Sequence, residues 1–320
     1  MLSRKTILAM IVVMLLSMLL ASLVADNFRI DQLTRILVYV ILVVSLDLLV
    51  GYTGLVSVGH AAFFGCSVYI AALLADRLSI TNPLFVLPVS IFGAGLLAFL
   101  IGLLTQRLQG VYYIMATLAF TQIVFYLLHD TKFVGGSDGI LVSDDIVFYL
   151  MGHSVVNLSN LHHRFYFTLF MTAVVMIGLF FVVGSPFGHV LQGIRQNERR
   201  MKALGYKVAL YKLAAFTLAG MLSGVAGYLY FCLTGFADPT LTNWLHSAQL
   251  LIITALGGAG TLVGPALSAV IFTLFVDWSS EITEHWKLYL GVIVVVLTLF
   301  GRLFVRTIAN RFVSEVGKDV

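Results

Sequence analysis

Long apolar runs with few charges are the feature that most limits what this chain can fold into. Of its 320 residues, 60% are hydrophobic and only 11% are charged. A soluble domain carries about 25% charged residues, so this chain lacks the charge to cover a water-facing surface. The composition therefore excludes a soluble enzyme, a disordered chain and a nucleic-acid-binding protein. Because a bilayer crossing takes about 20 apolar residues, we predict an all-α polytopic membrane protein with about eight to ten transmembrane helices.

The apolar runs divide the chain into a series of predicted helices. They are residues 7–25, 36–58, 59–75, 84–104, 111–128, 165–184, 209–231, 245–256, 262–276 and 288–305. The first run resembles a signal peptide, but it is longer than the usual apolar core of about 7–15 residues, so we expect a retained helix. No soluble domain is indicated, and we treat residues 1–320 as one membrane domain.

The basic residues predict the orientation of these helices. With the N-terminus inside, 13 Lys and Arg residues lie on the inner side and 6 on the outer side. This asymmetry is what the positive-inside rule expects, and it predicts an N-in, C-in arrangement. Two connecting segments are longer than the others, an outer loop at residues 129–164 and an inner segment at residues 185–207.

The inner segment predicts a single amphipathic helix from Ser185 to Gly205. Ser185 is suited to cap the N-terminus, and Gly205 is suited to end the helix in a left-handed conformation. Glu198 is placed to pair with a lysine one turn later. Two interpretations stay open from these residues alone: a basic helix resting on anionic lipid headgroups, or a helix that docks into a groove of a partner protein.

Two glycine-rich stretches interrupt the apolar pattern, one in each half of the chain. In a bilayer, the backbone polar groups that glycine exposes must be buried in protein or line a cavity. Paired interruptions indicate a substrate pathway, whereas the plainer interpretation is tight turns or close helix packing. The candidate pathway residues are Gly51, Gly54, Ser57, Gly59, His60, Gly257, Gly258 and Gly260.

Asp47 and His60 are ionisable groups at membrane depth, where a charge is costly unless it is paired or reaches water. They either contact a substrate or hydrogen-bond backbone groups that the break sets free, and we favour the second interpretation. The broken helix is also expected to offer free N–H groups to a carboxylate and free carbonyls to an ammonium.

Motifs for catalysis and metal binding are weak in this sequence. The stretch Gly135–Gly139 has the letters of a nucleophile elbow but lies in a loop between membrane helices. His162 and His163 lack a third ligand nearby, so we predict no metal site. No phosphate-binding P-loop motif occurs. We therefore expect no enzyme activity, no catalytic residues and no cofactor in this chain, with any ATP and Mg bound by separate subunits.

Five sequence blocks in a fixed order carry a resemblance to a known family. They begin with GYTGLVSVGH at Gly51, VYYIMATLAF at Val111, GGSDGI at Gly135, SPFGHVLQGIRQNERRMKALG at Ser185 and GGAGTLVGPA at Gly257. Together these blocks resemble the LivM-type permeases of branched-chain amino acid ABC transporters. The resemblance spans residues 33–302, which is most of the chain.

The resemblance implies a subunit of a binding-protein-dependent importer in the bacterial inner membrane. It would form half of the pathway for leucine, isoleucine and valine. The implied partners are membrane lipid, a second homologous permease of LivH type, two ATP-binding cassette ATPases that bind ATP and Mg, and a periplasmic or lipid-anchored substrate-binding protein; nucleic acid is not among them. A urea or short-chain amide permease, and an ATPase-independent channel or secondary carrier, are the alternatives.

The resemblance also favours ATPase docking as the role of the inner segment. The implied coupling residues are Arg195, Glu198, Arg199 and Gly205. The segment departs from the family's E-A-A-x-x-x-G pattern. Glu198 is followed by two arginines, and Gly205 lies seven positions further on rather than six.

Overall fold

The computed structural model describes residues 4–142, 146–150 and 153–282, together with residues 288, 291 and 292. The chain divides into two compact units, residues 1–270 and 271–320. The contacts that form the candidate site lie within the first unit. The last predicted apolar run, residues 288–305, falls almost wholly outside the described residues.

The described residues are largely helical, as the apolar runs predict. The helices are α1 (Arg4–Val24), α2 (Asn27–Asp47), α3 (His60–Leu78), α4 (Pro83–Thr105), α5 (Val111–Asp130), α6 (Leu161–Gly184), α7 (Pro186–Gln196), α8 (Glu198–Ala203), α9 (Val208–Thr234), α10 (Trp244–Leu256) and α11 (Val263–Ile282). Among the residues that the structure describes, eight helices are long and apolar enough to cross a membrane. The prediction of an all-α polytopic membrane protein is therefore confirmed.

Helix α10 is too short to cross a bilayer alone. Its 13 residues span about 20 Å at 1.5 Å per residue, whereas the hydrocarbon core is about 30 Å thick. The sequence placed an apolar run here at nearly the same bounds.

The core of the first unit forms around α2 and α9. Every residue from Val40 to Leu49 is buried, which is the pattern of a helix surrounded by protein. Helix α9 carries a stripe of small residues that lets neighbouring backbones approach closely. A side chain at Gly224 would lie 2.9 Å from the Ala94 Cβ of α4, and one at Gly227 would lie 2.7 Å from the Ser67 Cβ of α3.

Polar contacts show which helix ends lie together. Glu198 of α8 bonds to Lys212 near the start of α9 and to Gln109 between α4 and α5. We call this side the α7 end. At the opposite end, Arg164 of α6 pairs with Asp31 of α2 at 2.9 Å. The predicted N-in, C-in orientation, which would make the α7 end cytoplasmic, stays a prediction.

The segment 129–164, predicted as a loop, contains short regular elements. They are two 3-10 turns (Lys132–Val134 and Gly136–Asp138) and the strands β1 (Ile140–Leu141), β2 (Val147–Leu150) and β3 (His153–Asn157). Strand β1 pairs antiparallel with β4 (Phe236–Ala237), which follows α9, and β2 pairs antiparallel with β3. The β1–β4 pairing ties this segment to the connection between α9 and α10.

Candidate functional site

The first break, residues 48–59, begins where the α-helical turns of α2 end. Leu48–Thr53 form a π-helical turn, and Gly54 follows with φ +76°, a left-handed conformation that glycine adopts without strain. The chain then runs without regular structure until α3 starts at His60. The glycines therefore mark a true interruption of the helix, as the sequence indicated.

This break returns to the middle of the bundle before α3 begins. The Val58 N–H donates to Thr117 Oγ1 at 3.2 Å, and the Val58 carbonyl accepts from Thr121 Oγ1 at 2.9 Å. These threonines are the seventh and eleventh of the 20 residues of α5, so Val58 lies near half-depth. Their hydroxyls supply the partners that irregular backbone requires inside a bilayer.

Helices α3 and α10 both begin near this depth. The Ala61 N–H, in the first turn of α3, donates to Ser247 Oγ in the first turn of α10 at 2.9 Å. Pro239–Thr242 form the 3-10 turn that leads into α10, and Thr242 packs against Gly65, where no side chain would fit. Helix α10 therefore runs from the middle of the bundle to the second break.

The second break, residues 257–262, separates α10 from α11. Gly258, Gly260 and Leu262 have φ values of +84°, +94° and +61°. Gly257 packs against the backbone of Gly264, which leaves no room for a side chain on either residue. The second break therefore shows both predicted features: its glycines pack closely, and its backbone is irregular as a pathway segment would be.

Asp47 joins the two breaks. It is the last residue of α2 and is fully buried. Its Oδ1 accepts from the Gly260 N–H at 2.6 Å, and its Oδ2 accepts from the Leu262 N–H at 3.2 Å. The expectation that Asp47 bonds freed backbone groups is confirmed, although those groups belong to the distant break rather than to its own.

His60 lies at the far end of the first break, where α3 begins. Its ring is fully buried and lies edge-on to Phe63, with centroids 5.8 Å apart. The ring also interacts with the backbone of Ser45 in α2, and the His60 carbonyl accepts from Ser223 Oγ at 3.3 Å. The prediction that His60 bonds a freed backbone group therefore stays a prediction, with the Ser45 backbone as the group concerned.

The backbone donors of the two breaks are largely paired. The N–H groups of Val58, Gly59, Gly260 and Leu262, and that of Ala61 in the adjoining first turn of α3, donate to side-chain oxygens. The expectation that the breaks offer free N–H groups to a carboxylate is therefore wrong for these five. Serine, threonine and aspartate side chains occupy the donors in this conformation.

The inner segment differs from the predicted single helix. Asn197 is extended, with φ −159° and ψ 97°, and its side chain caps a second helix by accepting from the Arg200 N–H. Residues 185–205 therefore form two helices, α7 and α8, rather than one. The predicted ends are correct: Ser185 caps α7 by accepting from the Gly188 N–H at 3.4 Å, and Gly205 has φ +87°.

Arg195 reaches the first break from α7. Its guanidinium donates to the Gly51 carbonyl. A Cβ atom added to Gly54 would lie 3.0 Å from the Arg195 Cγ. A side chain on Gly260 would also approach the Arg195 Nη1, to 2.7 Å. Arg195 therefore touches both breaks, whereas Arg199 is exposed on α8.

Glu198 is bound within the chain. It pairs with Lys202 at 2.8 Å, as predicted, and with the buried Lys212 of α9 at 2.6 Å. It also accepts from Gln109 at 3.1 Å. Partial burial raises the pKa of Glu198, but the hydrogen bonds and charges of the two lysines outweigh burial and hold the pKa below its ordinary value.

Several residues of the site were not predicted from the sequence. They are Thr117, Thr121, Ser223 and Ser247, which bond the backbone near half-depth, and Lys212 and Gln109, which bond Glu198. A lysine inside an apolar run, as Lys212 is, was a usable signal, because a charge there needs a partner. The hydroxyl residues carried no such signal, since serine and threonine also bond their own helix.

Membrane spans, paired breaks and a polar segment at the α7 end are together features of a transport protein. A family model described as "Branched-chain amino acid transport system / permease component" matches residues 28–300. The chain belongs to this family. The family model covers most of the length of this permease. A permease of this kind is a transport protein rather than an enzyme.

Characterised relatives agree with this assignment. The permease is 28% identical over 290 residues to the high-affinity branched-chain amino acid transport system permease protein LivM of Escherichia coli K12, covering 85% of this chain and 68% of the relative. The LivM protein of Salmonella typhimurium has the same identity and coverage. The autoinducer 2 import system permease protein LsrC of Klebsiella pneumoniae is 29% identical over 140 residues, or 41% of each chain. No solved structure gives a significant match.

Proposed function

We propose that this permease is one of two membrane subunits of an ATP-driven importer for leucine, isoleucine and valine. The relatives named for branched-chain amino acids align over 85% of this chain, against 41% for the autoinducer 2 relative. The longer alignment favours amino acids as the cargo. The family's description as the permease component of a transport system favours the importer over an ATPase-independent channel or carrier.

The contact of α7 with both breaks is the observation that carries this proposal. An importer subunit must convert a movement at its inner surface into a change along the pathway. Arg195 lies on α7 and donates to the Gly51 carbonyl, while Gly260 approaches the same guanidinium. This geometry supports an inner helix that acts on the breaks.

The partners of the permease are proposed on the same basis. A second, LivH-type permease would complete the pathway, and two ATPases at the α7 end would bind ATP and Mg. A periplasmic or lipid-anchored protein would deliver the amino acid. The complex would lie in the bacterial inner membrane with its N-terminus inside, which places α7 and α8 next to the ATPases.

The breaks would line the pathway. Ser57, Gly59 and His60 are buried near half-depth, while Gly54 and Gly258 are exposed at the α7 end. A zwitterionic amino acid crossing hydrocarbon would leave both charges without partners. The hydroxyls and backbone groups of the break offer polar partners along this route, and the buried Phe63 offers an apolar wall for the branched side chain.

Reconstitution tests this function directly. The full complex of both permeases and both ATPases is placed in proteoliposomes with the binding protein, and uptake of labelled leucine is measured. We expect uptake that requires ATP and competes with isoleucine and valine. Uptake without ATP would contradict the importer, and competition by urea or acetamide but not by valine would contradict the cargo.

The pathway is tested by labelling at half-depth. Ser57→Cys is introduced after both native cysteines, Cys66 and Cys232, are replaced. We expect a small hydrophilic thiol reagent to modify it during turnover and not at rest. Exposed Leu204, in the turn after α8, gives a matched control when replaced by cysteine, since its labelling does not depend on a pathway. Protection of Ser57→Cys throughout turnover would mean that the break serves packing alone.

A further inference from the structure

Five residues at the α7 end form a cluster that links three separate parts of the chain. We call it the latch; it comprises Asp47, Gly51, Arg195, Gly260 and Leu262. Asp47 and Gly51 belong to the end of α2 and the first break, Arg195 to α7, and Gly260 and Leu262 to the second break. The charged members are one buried carboxylate and one guanidinium.

The carboxylate of Asp47 holds the second break. Both of its oxygens accept backbone N–H bonds, from Gly260 and from Leu262. Hydrogen bonds to a charged acceptor are roughly twice as strong as neutral ones, and this carboxylate is fully buried. The second break therefore depends on Asp47 for its position.

Gly51 allows the breaks to meet. A side chain there would overlap Asp47 Oδ1 and the Gly260 N–H, and would lie 2.7 Å from Gly260 Cα. The carbonyl of Gly51 lies in the last turn before the helix ends, where carbonyls lose their helical partners. Arg195 supplies that partner. The same glycine thus serves both the contact between the breaks and the contact with α7.

Arg195 lies over the junction of the two breaks. Its side chain passes along Gly54, and its guanidinium lies against both Gly51 and Gly260. It is also within electrostatic range of Asp47. A movement of α7 would therefore displace both breaks together through one side chain.

We infer that Asp47 and Arg195 are positioning residues that fasten α7 to both breaks, so that the latch transmits motion of α7 to the pathway. This inference rests on the proposed function for the source of that motion. It assigns Asp47 to the coupling of ATP hydrolysis to transport rather than to substrate contact. It also assigns Arg195 to contact within the chain rather than to contact with an ATPase.

Arg195→Gln tests the latch, because it removes the charge at an exposed position and leaves the core intact. In the reconstituted complex we expect uptake to fall by at least about tenfold, the loss expected for one charge-assisted hydrogen bond, while ATP hydrolysis continues. Arg195→Lys keeps one donor for the Gly51 carbonyl and should restore part of the uptake. Arg107→Gln, an equal charge loss at an exposed turn of the α7 end, should leave uptake unchanged.

A conformational readout separates coupling from folding. A cysteine replaces Ala255, which is exposed in the last turn of α10, in a background without native cysteines. Its labelling rate should differ between nucleotide-free and ATP–vanadate-trapped complexes when Arg195 is present, and should be the same in both states with Arg195→Gln. Asp47→Asn combined with Arg195→Gln should lose no more uptake than the more impaired single variant.

Two results would overturn the latch. One is normal uptake with Arg195→Gln, and the other is a nucleotide-dependent change in labelling that persists in this variant. A separate measurement keeps the latch distinct from the importer. In the purified full-length permease without ATPases, Arg195→Gln should speed labelling at position 255. Equal rates there would refute the latch, whereas absence of ATP-driven uptake in the unmodified complex would refute the proposed function.

Discussion

Gly51→Ala is the sharpest test of how the two breaks are packed. The added methyl group would overlap Asp47 Oδ1 and the Gly260 N–H and would lie 2.7 Å from Gly260 Cα. Inserting a methyl into close packing costs about 1–3 kcal/mol, and losing a hydrogen bond to a charged group costs about 1.5–3 kcal/mol. The two costs overlap, so we expect a loss of at least about 2 kcal/mol.

The measurement is thermal unfolding of the purified permease, followed by uptake in the reconstituted complex. Gly178→Ala is the matched control, because Gly178 is exposed in α6 with no atom within 4 Å of an added side chain. There alanine should be neutral or stabilise the helix by about 0.5–1 kcal/mol. We expect Gly51→Ala to lower the melting temperature by several degrees and to reduce uptake. If both variants melt and transport alike, the close approach of the breaks at Gly51 is refuted.

Three further predictions concern other parts of the permease. The folded-state pKa of Glu198 lies below its ordinary value of 4.5, so its ion pairs stabilise the fold at neutral pH, and this stabilisation is lost as the pH falls from 4.5 through the folded pKa. The difference in melting temperature between wild type and Glu198→Gln should therefore disappear over that pH range. A difference that stays constant with pH would contradict this prediction. Thr121→Val leaves the Val58 carbonyl without its hydroxyl partner near half-depth and should cost about 1–3 kcal/mol in unfolding measurements, whereas Thr234→Val, at an exposed position, should cost less. Arg164→Gln breaks the ion pair between α6 and α2 and should speed hydrogen exchange at that end of α2, a change that unaltered exchange would rule out.

Local features of the fold were predictable from the sequence. For most helices the apolar runs predicted bounds close to those observed, because burial in a bilayer and backbone hydrogen bonding both act along one continuous segment. Helix α2 is an exception: it begins at Asn27, nine residues before the predicted run at 36, because its first turns carry polar residues such as Asp31. Ser185 and Gly205 were correctly placed at the ends of the inner segment for the same local reason. The break at Asn197 was not predicted. The sequence pattern favoured one continuous helix, whereas Asn197 is extended and its side chain caps a second helix.

The sequence by itself determined that this chain is a membrane protein with two glycine interruptions and one polar inner segment. Only the tertiary structure decided which of these features touch. Asp47 and Gly260 are 213 positions apart, and Arg195 and Gly51 are 144 apart. Such pairs form only after helices from distant parts of the chain have packed, and many serines, threonines and arginines carry equivalent donors. Packing of α2, α7 and the second break selects the pairs, because a buried carboxylate or carbonyl must find its partner among the groups that the fold brings within reach.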